Sequence, residues 1–265
     1  MTIETQDMAL VTRSDKDGIA TLTLNRPNKF NALSMAVLDS LLEALTRVGE
    51  DKSIRVVILA GEGKAFCAGH DLKEMREDSS EKAMGALFAK CSDVMLKINA
   101  IPQPVIARIH GIATAAGCQL VATCDLAIAV EEARFATSGI NVGLFCSTPM
   151  VALTRNVTPK KAFEMLVTGD FVDAQTALQF GLINKIVPAD QLDEAVMEMA
   201  TKIAARPAVS IALGKELFYK QLEAARDVAY DMAAKTMTCN MLTEDAKAGI
   251  DAFIAKQPMP EWKGK

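Results

Sequence analysis

PVIARIHGIATAAGCQLVATCDLAIAV, residues 104–130, is the stretch whose reading decides the fold. Two apolar runs of strand length, 105–109 and 125–130, bracket a turn built almost wholly of Gly, Ala and Thr, followed by a short helix predicted from about Ala115 to Cys124. Strand, turn, helix, strand is the order a parallel sheet requires, because parallel neighbours must be joined by a crossover. Upstream, IRVVILA at 54–60 is a near-continuous apolar run, read as a buried parallel strand delivering the loop GEGKAFCAGHDL at 61–72. Further upstream, IATLTL at 19–24 alternates apolar residues with Thr behind the turn signal Asp17-Gly18, which predicts an opening hairpin.

Helices fill the intervals. Ser34 is a good N-cap for a helix over about 35–48, with Val37, Leu41, Leu42, Leu45 and Val48 on one stripe. A second helix over 81–99 turns Leu87, Cys91, Met95 and Ile98 inward and stops before Pro102 and Pro104. The second half reads as mostly helical, with amphipathic runs at 159–167, 173–180, 190–205 and 208–223 and one long helix over roughly 226–256. The expected division is an α/β core over 1–190 and a helical module over 191–265.

Composition narrows the function. Half of the 265 residues are hydrophobic and 23% are charged, so the chain carries the apolar mass of a packed core rather than of a disordered protein. With 29 bases against 33 acids the net charge is −4, which leaves no general positive field for nucleic acid. Aromatic residues make up only 5%, too few for base- or sugar-stacking platforms. No apolar run reaches membrane-spanning length, so no membrane partner is expected. The six cysteines form no CxxC pair and have no His-rich neighbours, so no metal site is expected. With no leader of the usual kind at Met1, the expected compartment is the cytoplasm.

Chemistry is expected in two loops. KAFCAGHDL at 64–72 follows a buried strand with Ala65, Cys67, Ala68 and Gly69; HGIATAAGCQL at 110–120 strips away bulk just before a helix start. Small side chains let a ligand approach the backbone, and a helix N-terminus presents unpaired N–H groups and a partial positive charge. Two such loops facing one another can aim two amides at one oxygen, the arrangement that stabilises an enolate or a tetrahedral oxyanion. Tight packing alone is the commoner reason for any one such cluster. Neither loop satisfies GxGxxG, and no GxxxxGK[ST] occurs, so nucleotide folds are disfavoured.

RPNKFNALS (26–34), AFCAGHDLKEM (65–75), HGIATAAGCQLVATCDLAIA (110–129), FATSGINVGL (135–144) and LVTGDFVDAQTALQFGLINKIVP (166–188) occur in the order of one known family. With these motifs the chain resembles the crotonase superfamily, the enoyl-CoA hydratase/isomerase family. The resemblance implies an α/β fold: a β-β-α superhelical spiral of two roughly perpendicular sheets, with a C-terminal helical trimerisation module. It implies a homotrimer or homohexamer and an acyl-CoA substrate, coenzyme A entering as part of that substrate rather than as a separate cofactor. By position, the backbone N–H groups of His70 and Ala116 form the oxyanion hole. Arg26, Lys29 and Phe30 meet the adenosine end of CoA, while Ala68, Gly69 and Gly117 lie along the ligand.

The sequence also departs from that family. Hydratases of this type use two glutamates to add water across the double bond, and here those positions hold Gln119 and Gly139. Neither carries a titratable proton, so the usual hydration is expected to lose about 100- to 10,000-fold for each missing role. Ser147, Asn141 or a water positioned by Gln119 is the replacement on offer, and restoring both glutamates is expected to raise hydration. The leading expectation is an acyl-CoA enzyme that stabilises a thioester enolate with altered proton transfer. Its rivals are a catalytically silent acyl-CoA-binding oligomer, or a thioesterase or decarboxylase of the same fold.

Overall fold

The computed structural model describes residues 9–265. The predicted hairpin forms from β1 (Val11–Lys16) and β2 (Ile19–Leu24), turning at Asp17 and Gly18, both at positive φ. Next to β2, in parallel, lie β3 (Val56–Gly61), β5 (Val105–Ile109), β7 (Leu126–Val130) and β10 (Lys185–Val187), completing a six-stranded sheet in the order β1-β2-β3-β5-β7-β10. All six residues of β3 are buried, as its unbroken apolar run requires of a strand covered on both faces.

A second sheet was not legible as strands in the sequence. It consists of β4 (Ala65–Cys67), β6 (Ile112–Thr114), β8 (Arg134–Ala136) and β9 (Val172–Asp173), parallel except for the last pair. The chain runs from β3 to β4, from β5 to β6 and from β7 to β8, each time passing from the first sheet to the second; helices bring it back to β5 and β7, and the last return, to β10, follows β9 of the second sheet. That repetition is the strand-strand-helix spiral.

Ser34 caps α1 (Met35–Glu50), its side chain accepting from the Val37 N–H, and Val37, Leu38, Leu41, Leu45 and Val48 are buried against α3 (Glu81–Ala100) and the first two strands. Asp71 caps the short α2 (Leu72–Glu77). The turn after β6 leads into α4 (Ala116–Thr123), every residue of which is buried, and α5 (Ser147–Leu153) packs on it. The predicted later helices appear as α6 (Pro159–Thr168), α7 (Ala174–Phe180), α8 (Leu192–Ala204) and α9 (Ala208–Gln221).

The single helix expected over 226–256 is two, α10 (Arg226–Met241) and α11 (Glu244–Ile254). Thr243 breaks it: its hydroxyl accepts from the Ala246 N–H, so the residue serves as an N-cap and not as a helix interior. In α9, Lys215 is buried and its ammonium donates to the carbonyls of Ile98 and Gln103 at 2.8 and 2.9 Å and to Asp125 at 2.6 Å. Asp125 in turn accepts from the Val105 N–H at the entrance of β5 and from the Tyr219 hydroxyl.

Candidate active site

The two small-residue loops meet. Gly69 sits at φ +91°, and a Cβ placed on it would lie 3.0 Å from the Ala115 Cβ and 3.2 Å from the Ala116 nitrogen. A side chain at 69 would therefore wedge the loops apart, besides being strained at that φ. The Leu33 N–H donates to the Gly69 carbonyl and the Asp71 N–H to the Leu33 carbonyl, which pins His70 between them while leaving its own amide free. Ala116 opens α4, so its amide has no intrahelical acceptor. Among the described residues, neither the His70 nor the Ala116 N–H donates to any protein group.

An alanine at 116 needs a negative φ, and the structure provides it by moving the strain one residue back. Ala115 carries φ 49° and ψ −118°, a conformation suited to glycine that costs on the order of 1–3 kcal/mol. It is held there at both ends: its N–H donates to the Ala136 carbonyl at 2.9 Å and its carbonyl accepts from the Gln119 N–H at 3.0 Å.

His70 and Ala116 line a cavity of about 400 Å³ whose other walls come from α2, α3 and the segment 138–149. Leu72, Met75, Phe88, Val142, Leu144, Phe145 and Pro149 make it largely apolar, and among the described residues no carboxylate, lysine or arginine lines it. The His70 ring packs edge-on against Phe88, with centroids 5.5 Å apart, and its Nε2 is buried without a hydrogen-bond partner. Burial lowers its pKa to about 4, so the imidazole is neutral at physiological pH.

The sequence-predicted residues separate into groups. Ala68, His70, Ala116, Gly139 and Ser147 line the cavity. Gly117 does not: a Cβ there would lie 2.0 Å from the Cys67 carbonyl, so this glycine lets α4 abut β4 and contributes packing in place of the ligand contact expected. Gln119 is 4% exposed and is not among the residues that line the cavity, with its Oε1 4.0 Å from Cys91 Sγ on α3. Gly139 has no room for a side chain, since its Cβ would meet the Leu144 carbonyl at 2.4 Å and Cys146 Sγ at 2.8 Å.

At the other loop, Arg26 is already engaged, donating to the Ala32 carbonyl at 2.9 Å and to Asp71 at 3.2 Å, which makes it a brace and not a free cation. Lys29 and Phe30 are exposed, and the Phe30 carbonyl accepts from the Ala68 N–H, tying this loop to the cavity wall. One residue escaped the sequence reading. Asn31, almost fully buried, accepts from the Arg26 N–H and donates to the Glu62, Ala65 and Phe66 carbonyls, joining the loops on either side. Cys146, a cavity-lining residue with its thiol pKa raised by burial, puts sulfur where a side chain at 139 would project. The other buried thiols are inert in the same way, Cys67, Cys91 and Cys118 being pushed up to about 12.

A strand-strand-helix spiral, with a cavity formed where two chain turns bring unpaired amides together, defines a crotonase-fold protein. Residues 14–265 match the profile of the enoyl-CoA hydratase/isomerase family, and the chain belongs to it. It is 46% identical over 253 residues to rat mitochondrial enoyl-CoA hydratase domain-containing protein 3, covering 96% of this chain and 84% of that one. Among solved structures, an enoyl-CoA hydratase from Mycobacterium smegmatis superposes with a TM-score of 0.94 at 56% identity, covering 95% of this chain and 98% of that one. Human enoyl-CoA hydratase domain-containing protein 3 superposes at 0.92 with 44% identity, over 95% and 99% of the two chains. These relatives overturn the cytoplasmic expectation: the rat, mouse and human proteins are all named as mitochondrial.

Proposed function

We propose that the protein processes acyl-CoA thioesters by holding the thioester carbonyl oxygen between the His70 and Ala116 N–H groups, so that an enolate can form. One observation carries this reading: two amides without protein acceptors border a largely apolar cavity, on loops brought within van der Waals contact through Gly69. In so apolar a site, preorganised donors aimed at developing charge are worth far more than in water. The exposed Lys29 and Phe30 take the adenosine end of CoA, and Ala68 runs along the pantetheine. The exposed apolar residues of the C-terminal helices, Phe218, Leu222, Tyr230, Met237, Leu242 and Phe253 among them, support a homotrimer or homohexamer.

The absence of carboxylates from the cavity wall favours a second reading, a silent acyl-CoA-binding oligomer. The test follows conversion of the acyl group, with the thioester retained or cleaved, for crotonyl-CoA, a 3-enoyl-CoA, a malonyl-type CoA and a saturated acyl-CoA. It compares wild type with Ala115→Gly and with Ala115→Gly/Ala116→Pro. Proline is tolerated at the first helical position and removes one amide proton. Turnover that falls about 100- to 1,000-fold only in the proline variant supports the enzyme; tight binding without turnover of any substrate supports the silent reading.

A further inference from the structure

We propose that Asn99 and Asn156 are positioning residues: by holding α4 from its C-terminal end, they keep the Ala116 amide in place at the other. The inference rests on the oxyanion reading and adds to it two residues that do not line the cavity. All eight residues of α4 are buried. A helix of that length is a rod about 12 Å long, so a displacement at one end arrives at the other. Its last carbonyls have no later turn to pair them and must find donors elsewhere. The Leu120 carbonyl accepts from the Cys124 N–H at 3.0 Å, the Ala122 carbonyl from Asn156 Nδ2 at 2.8 Å and the Thr123 carbonyl from Asn99 Nδ2 at 3.0 Å. These two side-chain amides come from different elements. Asn99 lies in the last turn of α3, while Asn156 follows α5 and also donates to the Ala152 carbonyl at 2.9 Å, which ties α4 to both neighbours.

The opposite end of the helix shows what the ties resist. Ala115 is held at φ 49° directly before α4, and a residue keeps such a conformation only where its surroundings over-determine it. Relaxing Ala115 has to move Ala116 and the helix behind it. Motion toward β4 is blocked, because the backbones are so close at Gly117 that a Cβ there would stand 2.0 Å from the Cys67 carbonyl. The freer directions are along the helix axis and about it, and the bonds from Asn99 and Asn156 oppose both. Beyond the helix end Asp125 stays fixed by Lys215, so removing the two amides shifts α4 slightly without undocking it. An N–H aimed off line by such a shift donates more weakly.

The experiment reads the carbonyl stretch of bound butyryl-CoA, labelled with carbon-13 at the thioester carbonyl, together with affinity and melting temperature. Asn99→Leu, Asn156→Leu and the double variant remove the donors at nearly constant side-chain size; Thr243→Ala, which strips a cap from α11 instead, controls for lost stability. The double variant is expected to return the bound band about a quarter to a half of the way to its free frequency, with affinity falling no more than about threefold. Thr243→Ala is expected to leave the band in place. In an Ala115→Gly background, where the strain that drives relaxation is gone, the double change should move the band less. A band unmoved in the double variant, moved equally by Thr243→Ala, or moved as far in the glycine background overturns the inference. Should the double variant fail to fold, Asn156→Leu at its exposed position decides by whether its own band moves toward the free frequency or stays. A wild-type band that does not move on binding removes the oxyanion reading itself.

Discussion

Ala115 concentrates the account at a single residue. It takes a backbone conformation that an L side chain resists so that Ala116 can begin a helix with its amide left without an intrahelical acceptor. Replacing it by glycine removes that resistance, and Ala115→Gly is expected to raise the melting temperature by about 2–3 °C with ligand affinity retained; a fall would mean the methyl packs better than its strain costs. Gly139 is constrained in the opposite sense. The sequence alone suggested that Gln119→Glu with Gly139→Glu would raise hydration, but a Cβ at 139 collides with the Leu144 carbonyl and Cys146 sulfur, and Gln119 is not among the residues that line the cavity. The expected outcome is therefore a destabilised double variant, by about 1–3 kcal/mol or more from overpacking at 139, with crotonyl-CoA hydration no higher than wild type. Thermal melts and turnover read both.

His70 adds a pH dependence whose sign is fixed by its burial. Its pKa is about 4 in the folded protein and 6.5 when free, so between those values the unfolded chain binds more protons. Its stabilising contribution is complete above pH 6.5 and is lost as pH falls toward 4, by an amount on the order of 2–3 kcal/mol. Urea melts at pH 7 and 4.5 should show a smaller loss for His70→Gln than for wild type; equal losses would place the effect elsewhere. None of this was visible in the sequence beyond the identity of the residues. A small-residue loop announces a close approach, but which alanine absorbs the strain depends on contacts from Ala136, residues distant in the chain.

At the scale of elements, legibility followed length. The long strands and the capped helices stood out because β3 spans six consecutive buried residues and α1 repeats its apolar stripe over four turns behind Ser34. The second sheet did not, since β4, β6 and β8 are three residues each and β9 only two, too short for a period-2 pattern to register. Thr243 misled for a related reason: in a Met- and Ala-rich run a single threonine reads as an interior residue until its capping bond is seen. Asp125 orders the entrance of β5 through the Val105 amide, and the cation it also pairs with lies 90 residues away in α9, a pairing no local pattern announces. Burial pulls the pKa of Lys215 down while the Asp125 carboxylate opposes it. Lys215→Ala leaves that carboxylate and two carbonyls without their donor, and is expected to cost about 3–5 kcal/mol in chemical denaturation. Lys215→Ala in an Asp125→Asn background should cost measurably less, and additivity of the two changes would refute the coupling.

For the whole molecule, the spiral's purpose is to present chain turns side by side, so that loops far apart in sequence share one cavity. The loop after β4 supplies one amide, the turn after β6 the other, and the segment 138–149 closes the far wall. Carbonyl polarisation, not a carboxylate pair, is the chemistry proposed for this cavity. Infrared difference spectroscopy of a bound acyl-CoA labelled with carbon-13 at the thioester carbonyl reads it most directly. The carbonyl stretch should move to lower frequency on binding to wild type and to Ala115→Gly, and return most of the way to its free value in Ala115→Gly/Ala116→Pro. A ligand that binds wild type with its carbonyl frequency unchanged would contradict the account.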